Sequence, residues 1–184
     1  MPLPWLAPLV VACVLLAPLV ITPAIAQTPP PAKVQSSDYQ EAATLFRQGQ
    51  MESALERVDA WLKARPKDAR GRFLRGMILT QQKKTGDAIR TYIDLTQDFP
   101  ELPEPYNNLA VIYAGQGDYD KARVLLESAV RAMPSFAAAH ENLGDIYARL
   151  AAVSFDKAVK LDAANKTAPA KLKAVNELLA GGKR

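Results

Sequence analysis

The sequence predicts an all-α protein: an α-solenoid of about four helix–turn–helix units closed by a C-terminal capping helix. Three observations predict it. Pro66, Pro100 and Pro134 stand thirty-four residues apart, and Ala54, Ala88 and Ala122 keep the same interval. Ala42, Gly76, Ala110 and Gly144 repeat it in small residues. Between these marks, apolar residues recur at helical spacing, as in Tyr106, Leu109, Ala110 and Tyr113. Thirty-four residues is the length of a two-helix unit, in which a small side chain lets helices cross closely and a proline ends the second helix.

The chain begins with an apolar stretch, Leu3 to Ile25, and its first charged residue is Lys33. Ala24-Ile25-Ala26 offers the small side chains that a secretory signal peptidase accepts, which points to a signal peptide over residues 1–26 cut after Ala26. The rival reading is an N-terminal anchor, since the stretch is long enough to span a membrane. Pro8, Pro18 and Pro23 weaken a spanning helix, and the lack of Lys or Arg ahead of the run weakens both readings. Leu9-Val10-Val11-Ala12 before Cys13 loosely suggests a lipoprotein box, so lipidation at Cys13 is a third route to a membrane. Cleavage would leave a periplasmic or secreted chain without cysteine, held together by packing alone. Without cleavage the chain would be anchored to the inner membrane. Residues 27–37, with Pro29-Pro30-Pro31, read as an extended linker.

The helical domain is expected over residues 38–165, in units 35–68, 69–102 and 103–136 and a shortened unit 137–165. The third unit is the most regular. Tyr106, Leu109, Ala110 and Tyr113 share one helical face, Gly117-Asp118 makes a turn, and Tyr119, Ala122, Leu126 and Ala129 continue to Pro134. This pattern resembles the tetratricopeptide repeat, and the resemblance extends from residue 35 to about residue 165. It implies a right-handed α-solenoid. In the fourth unit, Leu143-Gly144 and Tyr147 match the first helix, and Phe155, Ala158, Leu161 and Asp162 match the end of the second. The interval between them is five residues short and the turn glycine is missing. With Ala148, Leu150, Ala151 and Ala152 there instead, no breaker separates the two helices, which allows one long helix from Ala137 to about Ala163. Residues 166–184 read as a capping helix and tail, with a stripe of Leu172, Val175, Leu178 and Leu179 ended by Gly181-Gly182. Gly144 is expected where the two helices of its unit approach most closely, so that Gly144→Leu would lower the melting temperature.

The residues give no support for an enzyme, and they imply no cofactor and no metal. His140 is the only histidine and has no nucleophile paired with it. In the resemblance it fills a packing slot usually held by an aromatic. Asp118 and Asp120 suit a turn and helix cap better than a metal pair. Glu141 and Asp145 share a helical face but lack a third ligand. The net charge of +4 calls for no nucleic acid.

Charges stand where the repeat pattern is apolar: Asp38 and Glu41 in the first unit, Arg72 and Arg75 in the second. One arrangement pairs Asp38 with Arg72 and Glu41 with Arg75. The other rotates the first helices, turning Tyr39 and Phe73 inward and leaving all four charges in water, which avoids burying unpaired charge. Trp61 stands in an alanine slot and Val58 in a large one, which reads as a volume-conserving exchange or as an exposed anchor for a partner.

The resemblance further implies a concave groove, lined by the first helices, that holds a peptide or a neighbouring protein. Carried over slot by slot, its lining is Tyr39, Ala43, Phe46 and Arg47, then Arg70, Phe73, Met77 and Gln81. Asn107, Val111 and Ala114 follow, then Glu141, Asp145 and Arg149. The Lys and Asn set that clamps a C-terminal carboxylate in chaperone-binding members is absent. The expected function is a non-catalytic protein–protein interaction scaffold in the bacterial cell envelope, with a protein or peptide partner. The alternative is a regulatory accessory subunit of a cell-envelope enzyme, such as a peptidoglycan synthase, docking through the convex face or the cap.

Overall fold

The computed structural model describes residues 36–181. The expected signal peptide or anchor, the cut after Ala26, Cys13, residues 27–35 of the linker and the last three residues lie outside them. Eight helices follow one another: α1 (Ser36–Arg47), α2 (Met51–Ala64), α3 (Ala69–Gln81), α4 (Thr85–Asp98), α5 (Pro103–Gly115), α6 (Tyr119–Ala132), α7 (Ala137–Leu161) and α8 (Ala168–Gly181). The described part is all-helical and forms a right-handed α-solenoid. Each helix packs mainly against its successor, and the α1–α3 and α5–α7 contacts link one unit to the next.

The thirty-four-residue interval has a backbone cause. Gly49, Lys83 and Gly117 occupy the turn between the two helices of each unit, all with positive φ (77°, 58° and 81°). That left-handed step stops the first helix and reverses the chain. The next residue in phase is Ala151, the best helix former, and the chain there does not turn. Hence α7 is one helix of 25 residues instead of a hairpin. Between the first and second units the Asp68 side chain caps α3, accepting from the Gly71 N–H at 2.7 Å; inside the third unit the Asp118 side chain caps α6 in the same way, accepting from the Lys121 N–H at 3.2 Å.

The small residues mark helix crossings. Ala42, Ala110, Ala54, Ala88 and Ala122 are buried, and a Cβ on Gly76 would stand 2.6 Å from the Tyr92 ring. Gly144 departs from the expectation. It is exposed, and nothing lies within 4 Å of where its Cβ would be. The reason is the unbroken α7, which puts no second helix back across it. The same cause exposes His140, whose Nε2 meets the Pro134 carbonyl at 2.9 Å instead of filling a packing slot.

The predicted acid–base pairing is also corrected. Glu41 pairs with Arg57 at 3.2 Å, Arg72 with Asp98, and Arg75 with Asp59 at 2.8 Å and with the Thr91 hydroxyl at 3.1 Å. The arginines reach acids on second helices, not the acids of α1. Tyr39 and Phe73 do turn inward, against Trp61 and Tyr92 (ring centroids 5.9 Å apart in each case). The arginines are not left in water as the second arrangement required, since the Arg72 side chain keeps only 15% exposure. Trp61 is buried beside Val58, which fits the exchange of volumes and not a surface anchor. On α8, Leu172, Val175 and Leu179 are half-buried, whereas Leu178 is 67% exposed and does not belong to the covering stripe.

Candidate functional site

The first helices of successive units lie side by side, and two hollows open between them. The first is about 200 Å³, between α1, α3 and α5, lined by Phe46, Met77, Gln81 and Val111 together with Thr80, Tyr92, Asn108 and Ile112. The second is about 130 Å³, between α5 and α7, lined by Val111, Ala114, Asp145 and Arg149 with Ala110, Leu126, Asn142 and Ile146. Val111 borders both and is 52% exposed, so it forms the ridge between two adjoining pockets. The volumes suit one large and one small apolar side chain.

Other predicted lining residues are placed differently. Asn107 is buried, accepting a 2.8 Å bond from the Asn142 amide, which ties α5 to α7. Tyr39 and Phe73 are packed as described above, and Arg70 stacks over Tyr39 at 5.5 Å while reaching Asp68 at 3.8 Å. Arg47 donates to the Thr44 hydroxyl at 3.0 Å. Ala43 packs against the core cluster of α1–α3. Glu141 and Asp145 are exposed and have no basic partner among the described residues. Arg149 lies 5.8 Å over the Tyr119 ring. Arg47 and Arg70 thus sit at the α1–α3 end and two unpaired carboxylates at the α7 end.

Tyr92 was not expected in the site because it comes from a second helix. The Asn108 amide donates to its hydroxyl at 3.2 Å, fixing it in the floor of the first pocket. Burial lifts the phenol above its ordinary pKa, only partly offset by the bonds with Asn108 and Thr80, so it stays protonated. The sequence held one signal for it. Gly76 replaces the alanine of neighbouring units, and that missing methyl is the space the Tyr92 ring takes. Among the described residues, no group of three His, Cys, Asp or Glu side chains could hold a metal ion.

Two family models, each described as tetratricopeptide repeat, match residues 39–103 and 79–146. A comparison with curated proteins found no match. Among solved structures, the chain is similar to YrrB, described as a TPR protein with an unusual peptide-binding site. Identity is 23% and the TM-score 0.53, over 56% of this chain and 54% of that one. This chain therefore spans about half the length of YrrB. It is also similar to the first TPR of Spaghetti (RPAP3) bound to the HSP90 peptide SRMEEVD, at 16% identity and a TM-score of 0.58, over 62% of this chain and 91% of that one. MamA from Desulfovibrio magneticus RS-1 shares 22% identity at a TM-score of 0.56, over 82% of this chain and 78% of that one. At these identities the likeness concerns the fold.

Proposed function

The chain belongs to the tetratricopeptide repeat family, and from that premise we propose that it holds a segment of another protein in its concave groove. As a repeat solenoid it is a protein–protein interaction scaffold, a class that is generally non-catalytic. The observation that carries the groove reading is the pair of hollows meeting at Val111. An amphipathic segment would set a large apolar side chain beside Met77 and a small one beside Ala114. Its acidic end would lie toward Arg47 and Arg70, and its basic end toward Glu141 and Asp145. YrrB and the Spaghetti repeat, whose descriptions name a peptide site or a bound peptide, lend this reading support by analogy.

We place the scaffold in the bacterial cell envelope on the strength of the Leu3 to Ile25 stretch and Ala24-Ile25-Ala26. Val111→Glu tests the groove. It puts a carboxylate on an exposed ridge, so folding should be untouched, while an apolar ligand would have to desolvate it. Affinity capture from envelope extracts should lose its specific partner, and Met77→Glu added to it should deepen the loss. Met77 also packs against the α1–α3 core, so the single variant is the cleaner arm. Undiminished capture by a folded Val111→Glu protein would exclude the groove.

A further inference from the structure

The inward face of α7 outlasts the array that covers it. Helices α5 and α6 have 13 and 14 residues, whereas α7 has 25. Ala139 and Ile146 are buried against α5 and α6, with Leu143 and Leu150 packed beside them. Seven residues turn a helix nearly twice, so residue 153 returns to the face of Ile146, and residues 157 and 161 follow on it. Val153 is 55% exposed and Leu161 77%. The face is continuous, but its cover stops. Arg149 over the Tyr119 ring marks the place, because Tyr119 is the first residue of α6. The opposite face of the overhang is already occupied by α8, with Lys171 5.7 Å over the Phe155 ring and Leu172 near Val159.

Charge separates this region from the rest. Among the described residues from 151 to 181, five side chains are basic and three acidic. Lys160 is paired with Asp156 at 2.6 Å, but Lys157, between Val153 and Leu161 on the uncovered face, has no carboxylate partner among the described residues.

We propose that the overhang is a second docking site, separate from the groove, that seats an acidic amphipathic helix of a partner protein. Val153 and Leu161 are two turns apart, about 12 Å along the axis, so apolar residues at the same spacing on a partner helix meet both. A carboxylate between them reaches Lys157. Two large apolar side chains with a lysine between them are little for anchoring in a lipid interface.

The test uses the full chain and a fluorescent synthetic helix of about 18 residues with one leucine face flanked by glutamates. A counterpart carries lysines in place of the glutamates. The glutamate helix should bind and the lysine helix should not. Val153→Ser with Leu161→Ser should weaken binding about tenfold or more. Lys157→Glu should reverse the preference between the two helices. All three positions are exposed, and an unchanged circular dichroism spectrum checks folding. Val111→Glu in the groove should leave this binding as it was. No binding, equal binding of both helices, or indifference to the Val153, Lys157 and Leu161 variants would overturn the proposal. So would Lys157-dependent binding of phosphatidylglycerol vesicles without the peptide, which would make the partner a membrane. Loss with Val111→Glu alone would put the peptide in the groove, overturning this site while supporting the other.

Discussion

At the turn inside the second unit, Lys83 takes φ 58°, a conformation its neighbours in phase reach with Gly49 and Gly117. An L-residue there brings Cβ against the following carbonyl at a cost of roughly 1–2 kcal/mol, while glycine gains entropy in the unfolded chain. Lys83→Gly should therefore stabilise the protein by about 0.5–1 kcal/mol in urea titration, and a loss of stability would show the strain to be absent. The two small-residue positions Gly76 and Gly144 make a sharper pair, since helix propensity favours alanine at both by about 1 kcal/mol. At Gly76 the new methyl would press into the buried Tyr92 ring, so overpacking wins and Gly76→Ala should destabilise by about 1–2 kcal/mol. At Gly144 nothing stands in the way, so Gly144→Ala should stabilise by up to about 1 kcal/mol. Shifts of the same sign would refute this account of the fourth unit. Gly144 looked like a crossing residue because its phase is correct, and phase cannot say whether a second helix arrives.

Among the elements, α7 and α8 depend on each other unequally. The first half of α7 is held by α5 and α6, and its second half packs against α8. Deleting residues 166–184 uncovers Phe155 and Val159. Amide exchange should then accelerate across 151–161 while residues 36–150 keep their protection. Unaltered protection of 151–161 would mean the overhang is stable unaided. The long helix was legible as the absence of a breaker between Tyr147 and Phe155. The faces it presents were not, because the repeat pattern assigns Leu143, Gly144 and Tyr147 to a hairpin this unit never closes. The arginine partners were hidden for a similar reason. Asp59 and Asp98 lie on second helices, and equivalence between first helices says nothing about how far an arginine reaches across.

For the whole molecule, periodicity carried the architecture because stacked units force the same small, turn and stop residues to recur. The lining of the candidate site was legible in part. Phe46, Met77, Gln81, Val111, Ala114, Asp145 and Arg149 do line the two hollows, whereas Asn107 is taken up by its bond to Asn142. What remained unread depends on pairs of residues from different helices, such as Gly76 with Tyr92, whose sizes are matched across space and not along the chain.

The packing of each helix on its successor governs how the chain finds this structure. Among the described residues no helix waits for a distant partner, so only short loops must close before contacts begin to repay their entropy. A hairpin at either end, or in the middle, can serve as the nucleus, and the neighbouring units then add to it in sequence. Refolding from denaturant should fall in the microsecond-to-millisecond range typical of helical folds with local contacts.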